Sequence, residues 1–140
     1  MIIKENEFIP LEILLELYKS VGWAAYTNDP EKLEEAFENS TYIISAWEEG
    51  SLIGLVRGLC DQVSINFIQD ILIHPQWSRK GVGTKLMKTI LNKYKNVRKH
   101  LLLADDEEKL SYFYESLGFK NTRKIINNAS INAYLIMNTN

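Results

Sequence analysis

Gly81 and Gly83 stand two residues apart in SRKGVGT (78–84). They follow an apolar run, FIQDILI (67–73), and precede a stretch in which Leu86, Met87, Ile90, Leu91 and Tyr94 recur at helical spacing. Glycines where an apolar strand gives way to a helix let a ligand approach the backbone, because no Cβ stands in the way. The first four amide N–H groups of a helix have no intrahelical acceptor, and the macrodipole puts partial positive charge there. With Arg79, Lys80 and Lys85 beside them, the pair could bind an anion, most naturally a phosphate. Two common phosphate loops do not fit. No segment reads G-x-x-x-x-G-K-[ST], and the position three after Gly83, where a dinucleotide fingerprint needs glycine, is Leu86. On residue types alone a tight basic turn explains the segment equally well.

Other reactive side chains are few. Cys60 is the only cysteine and no histidine adjoins it, so a small, mostly buried thiol is expected rather than a nucleophile, and no disulfide can form within the chain. Asp70 is a carboxylate inside an apolar strand and requires a partner; Arg57 on the neighbouring strand is one candidate. Asp61 reads as a turn residue and His74 as a strand-end surface residue. The net charge of −2 gives no general attraction for nucleic acid or an anionic membrane, and Lys85, Lys88, Lys93 and Lys95 read as the solvated side of an amphipathic helix. The opening MIIKENEF has no signal-like apolar stretch, so a cytoplasmic protein with no membrane segment is expected.

The elements that must hold these residues follow from periodicity. MIIKE reads as a short strand. PLEILLELYKSVG carries Leu11, Leu14, Leu15 and Tyr18 on one helical face and stops at Gly22. Asp29 and Pro30 supply the N-cap and first residue of a second helix. TYIISAWEE, a turn at Glu49-Gly50-Ser51 and LIGLVRGL make an antiparallel hairpin, and SINFIQDILI a third strand. HLLLAD suits a strand buried on both faces, EEKLSYFYESLG a helix ending at Gly118, and FKNTRKI and INAYLIM two closing strands. A helix between FIQDILI and HLLLAD makes those two strands parallel. The expectation is one α/β (α+β) domain over residues 1–140, with a mixed, mostly antiparallel sheet of six to seven strands, one parallel crossover and about four helices.

DILIHPQWSRKGVGTKLM resembles the acyl-CoA-binding signature of the GNAT superfamily of N-acyltransferases, in which [Q/R]-x-x-G-x-[G/A] follows a strand. YFYESLGF is similar to that family's fYeklGF segment, and the order of elements matches the family fold along the whole chain. Carried across, the resemblance gives Ile71, Leu72 and Ile73 the role of a strand edge for the pantetheine arm. Ser78, Arg79, Lys80, Gly81, Val82, Gly83 and Thr84 become the pyrophosphate cradle. Tyr114 matches the tyrosine near the thioester sulfur. The acceptor pocket of the fold lies between the first helices and the sheet, where Trp23 and Tyr26 would line it. Two positions depart from the pattern: Ser78 stands where the family has Gln or Arg, and DDEEK stands where many members have an Asn for the pantetheine arm.

The reaction so implied is acetyl transfer from acetyl-CoA to a primary amine by direct attack on the thioester. An alkylamine of pKa ~10.4 is neutral in about one molecule in 2,500 at pH 7, a gap of roughly 4.6 kcal/mol that a base must help close. Asp70 is the leading candidate for that base, beside its alternative as an ion-pair partner, and Tyr114 the candidate acid for the leaving thiol. Neither a metal nor a covalent enzyme intermediate is required. A non-catalytic acyl-CoA sensor is the alternative function, and a homodimer stays open.

Overall fold

The computed structural model describes residues 1–124 and 131–138, which group by contacts into two units, Met1–Leu103 and Ala104–Asn140. In the first, five strands lie in the order β1 (Ile2–Glu5), β2 (Tyr42–Glu48), β3 (Ser51–Cys60), β4 (Ile65–Ile73), β5 (Lys99–Leu102). Neighbours are antiparallel except β4 and β5, which run parallel as the crossover demands. The hairpin turn falls at Glu49 and Gly50, and Asp61 organises the β3–β4 turn, accepting from the amides of Val63, Ser64 and Ile65 and from the Ser64 hydroxyl.

Before the hairpin come α1 (Leu11–Ser20), a single turn α2 (Ala24–Thr27) and α3 (Pro30–Glu38), with Asp29 accepting from the Lys32 amide as N-cap. Gly22, at φ 75°, turns the chain out of α1: its own amide bonds back to Lys19 O and the Trp23 amide to Tyr18 O, a Schellman stop. That stop fixes where α2 begins. Leu14, Leu17, Tyr18, Leu33 and Phe37 of these helices bury against Leu52, Leu55 and Leu72 of the sheet. On the other face lies α4 (Val82–Lys93), with Val82, Leu86, Met87 and Ile90 buried. Gly54 lets it close: a Cβ there would stand 2.9 Å from Ile73 Cδ1 and 3.2 Å from Val82 Cγ1.

The second unit holds α5 (Glu108–Ser116), ended by a second Schellman pair (Gly118 N–H to Glu115 O, Phe119 N–H to Tyr114 O), and a 3₁₀ turn at Thr122–Lys124.

Three sequence expectations need correction. The strand expected over FKNTRKI is irregular from Phe119 to Asn121 and then the 3₁₀ turn, where Asn121 accepts from the Arg123 amide; Ile125 lies outside the described residues. INAYLIM forms no strand: a strand exists by pairing, and residues 131–138 make no ladder with any described residue. The sheet therefore has five strands, not six or seven, among the described residues. Finally, β5 alternates exposed and half-buried, because it ends the strand order and is paired on one edge alone among the described residues.

Candidate active site

Three features of the first unit meet around the end of β4. The first is the loop. Pro75–Trp77 forms a 3₁₀ turn whose N-cap, His74, accepts from the Gln76 amide through Nδ1, so this imidazole has a local structural task. Lys80 Nζ lies 5.0 Å from the centre of the Trp77 ring, which leans the lysine across the turn. Arg79 (φ 60°) and Gly81 (φ 82°) both adopt left-handed backbone, and Gly81 is the N-cap of α4 with no side-chain cap. Among the described residues, none of the amides of Arg79, Lys80, Gly81, Val82, Gly83 or Thr84 finds an acceptor; the first helical bond runs from Lys85 N–H to Gly81 O. Six successive free donors, the first three in alternating backbone conformations and the last three on the first turn of α4, with two cationic side chains and a helix dipole behind them, are an arrangement that could receive an anion. Ser78 is exposed and extended at its edge.

The second feature is the strand edge. Arg57 pairs with Asp70 but Gly58 pairs with Ile68, so Gln69 is an extra residue, a bulge in β4. The parallel pairing with β5 ends at Ile68. From Gln69 to Ile73 the strand has β3 on one edge and no strand on the other among the described residues. The His74 amide donates to Ile53 O of β3, 2.8 Å away. Main-chain groups alternate sides along a strand, so Leu72 also faces β3, and Ile71 and Ile73 turn theirs to the unpaired edge. Of the three residues expected to meet a pantetheine arm, two therefore turn their main-chain groups to this open edge. Leu72 instead gives its side chain to the core.

The third feature is a buried polar cluster. Asp70 is 4% exposed and Arg57 5%. Arg57 Nε donates to Asp70 Oδ2 at 2.7 Å, the Tyr18 hydroxyl to the same oxygen at 2.9 Å, and the Tyr26 hydroxyl to Oδ1 at 3.0 Å. Arg57 Nη2 donates to Tyr26 Oη at 3.1 Å and Nη1 to Ser40 Oγ at 3.2 Å. Burial raises the phenol pKa of both Tyr18 and Tyr26, and the Asp70 charge adds to it, so both remain donors at neutral pH. Burial opposes the charge on Arg57, but Asp70 and then the two phenols reverse the balance, and its pKa stands raised. The ion pair that the sequence left as an alternative for Asp70 is present. Tyr18 was legible only as part of an apolar stripe; a buried phenol facing a sheet that contains one buried carboxylate was the available signal.

Trp23 and Tyr26 are half-buried, with ring centres 6.3 Å apart and Tyr18 in edge contact with both. In the second unit Tyr114 is half-buried between the rings of Phe113 (5.2 Å) and Phe119 (6.0 Å), and burial raises its pKa. Cys60 is half-buried, its sulfur accepting from the Gln62 amide. No group of three or more His, Cys, Asp or Glu among the described residues is arranged to hold a metal.

Comparison with known proteins identifies the family and the fold. A family model described as an acetyltransferase (GNAT) domain matches residues 14–134. An uncharacterized N-acetyltransferase, ycf52, of Gracilaria tenuistipitata var. liui is 32% identical over 120 residues, covering 81% of this chain and 64% of the relative. The chain thus spans a little under two thirds of the length of such relatives. A GNAT family acetyltransferase from Streptococcus pneumoniae TIGR4 superimposes with a TM-score of 0.82 at 32% identity, over 99% of this chain and 98% of that one. The aminoglycoside N-acetyltransferase AAC(6')-Iy, solved with CoA, shares the fold (TM-score 0.65, 21% identity, 90% of this chain and 91% of that one).

Proposed function

This chain belongs to the GNAT acetyltransferase family, and we propose that it transfers an acetyl group from acetyl-CoA to a primary amine. The observation that carries the reading is the run of six free amides at residues 79–84, beginning six residues beyond an unpaired strand edge. A pyrophosphate fits the first and an extended amide-bearing arm the second. In the reaction the amine nitrogen attacks the thioester carbon, the C–N bond forms and the C–S bond breaks. An amide of the β4 edge stabilises the oxyanion. By its match to the family tyrosine, Tyr114 is assigned the proton that the departing thiolate takes up, with solvent restoring it; burial raises its pKa and keeps it protonated beforehand. Trp23 and Tyr26 form the acceptor wall. Asp70 is not taken forward as the base, because Arg57 and two phenols already hold its charge. The ammonium proton leaves to water.

A homodimer belongs to the same reading. Ile131, Tyr134, Leu135, Ile136 and Met137 are all more than half exposed, a row of apolar side chains that a second copy would cover. No described helix is long and apolar enough to cross a membrane, and a cytoplasmic location goes with the proposed co-substrate.

Calorimetric titration of acetyl-CoA into the protein, beside Gly83→Trp, tests the site. Saturable binding abolished by the variant supports it. Thiol release with an amine panel then tests turnover, and binding without release leaves the acyl-CoA sensor. No binding at millimolar ligand overturns the reading.

A further inference from the structure

The helix α2 is four residues long, has no side-chain N-cap and buries none of its residues. A single turn cannot hold itself, since nucleation costs more than one turn of hydrogen bonds returns. Its placement must come from outside. Among the described residues, the only side-chain hydrogen bonds from α2 are those of the Tyr26 hydroxyl, which donates to Asp70 Oδ1 and accepts from Arg57 Nη2. Arg57 also binds the other oxygen of Asp70 through Nε. Arg57, Asp70 and the Tyr26 hydroxyl therefore close a ring of hydrogen bonds, and the planar fork of the guanidinium sets its geometry. The ring ties α2 to the one residue of β4 that lies between the Gln69 bulge and the edge at Ile71.

We infer that Arg57 is a positioning residue for the acceptor side of the reaction, acting through the Tyr26 hydroxyl to hold α2, and with it Trp23 and the Tyr26 ring, beside the β4 edge. This rests on the acetyltransferase reading and on Trp23 and Tyr26 lining the acceptor pocket. It assigns Asp70 the anchoring end of the ring rather than the removal of the amine proton. Tyr18 makes the instructive contrast. Its hydroxyl binds the same carboxylate and lies close to Arg57, yet it reaches Oδ2 from α1 and makes no hydrogen bond to α2 among the described residues. Its loss should loosen the cluster without releasing α2.

The test compares Tyr26→Phe, Arg57→Lys, Asp70→Asn and Tyr18→Phe with the unaltered protein. Acetyl-CoA binding is read by calorimetry, and acetylation by thiol release with 2-phenylethylamine, spermidine and glycinamide as acceptors. For the acceptor turned over best, Tyr26→Phe should raise the amine KM about tenfold while acetyl-CoA binding and kcat stay within about twofold. Arg57→Lys should behave similarly, because a point donor cannot span both partners. Tyr18→Phe should lower thermal stability yet leave the amine KM unchanged. Asp70→Asn should retain the pH dependence of kcat. An equal rise in amine KM for Tyr18→Phe reduces the effect to general loosening and overturns the inference, as does an unchanged KM for Tyr26→Phe. Loss of kcat together with its acidic limb in Asp70→Asn makes Asp70 the base and overturns it too. Turnover of none of the three amines by a protein that binds acetyl-CoA overturns the pocket assignment; absent acetyl-CoA binding overturns the proposed function itself.

Discussion

Asp70→Asn offers a sharp test of the buried cluster, because it changes one charge and almost no volume. Arg57 and Asp70 side chains are 7% and 4% exposed, with 2.7 Å between Nε and Oδ2. The asparagine can still accept from one phenol, but the guanidinium is left buried without its anion. Breaking a buried pair in this way costs about 3–5 kcal/mol. For 140 residues the unfolding entropy is about 0.3 kcal/mol/K, so the melting temperature should fall by roughly 10–17 °C. Urea unfolding gives the free energy directly. The double variant Arg57→Met/Asp70→Leu removes both charges; it strands the Tyr18 and Tyr26 hydroxyls, at about 1 kcal/mol each, and should unfold within about 2 kcal/mol of the unaltered protein. The reasoning fails if Asp70→Asn loses less than about 1 kcal/mol, or if the double variant is as unstable as the single one.

Other outcomes follow from the same geometry. Gly81→Ala should cost about 1 kcal/mol in urea unfolding from backbone conformation alone, since φ is 82° and a Cβ would meet nothing within 4 Å; Gly81→Asn should cost less. Gly58→Ala should cost several kcal/mol, on the order of a badly overpacked core, because its Cβ would overlap Tyr42 Oη and the Phe67 carbonyl; thermal melts would show it. Burial lowers the pKa of His100, whose Nδ1 lies 3.1 Å from Asn66 Nδ2. The unfolded chain then binds the proton more readily, so the stability His100 contributes is full above its ordinary pKa of ~6.5 and is lost as pH falls below it. His100→Gln should flatten that slope between about pH 5 and 7 in melts. Asp61 is held well below the usual carboxylate range by the Ser64 hydroxyl and then by the Ile65, Val63 and Ser64 amides. Its contribution is present above the ordinary carboxylate pKa and lost on further acidification, and Asp61→Asn should weaken the acid dependence of melting below about pH 4.

What the sequence determined by itself was everything governed by short range. The Asp29-Pro30 helix start, the Glu49-Gly50 turn, the Asp61 turn and the break at Gly22 are each decided within four or five residues, by hydrogen bonds and φ values that particular side chains favour. The strand before Pro75, the glycines after it and the helix beyond were enough to place free donors at a helix start, which are a local fact, but not to choose between an anion site and a tight basic turn. Three things depended on the tertiary structure. The Gln69 bulge is a mismatch between two strands and has no signature in either one. Which of Ile71, Leu72 and Ile73 faces the open edge depends on the register with β3. The fate of Asp70 depended on Tyr18, 52 residues away, and Tyr26, 44 away, arriving at the carboxylate that Arg57 also reaches. A buried charge must be satisfied from wherever the chain brings a donor, and only packing decides which donors arrive. The C-terminal strands failed for the same reason: INAYLIM has the composition of a strand, but pairing needs an edge, and an edge is not a property of seven residues.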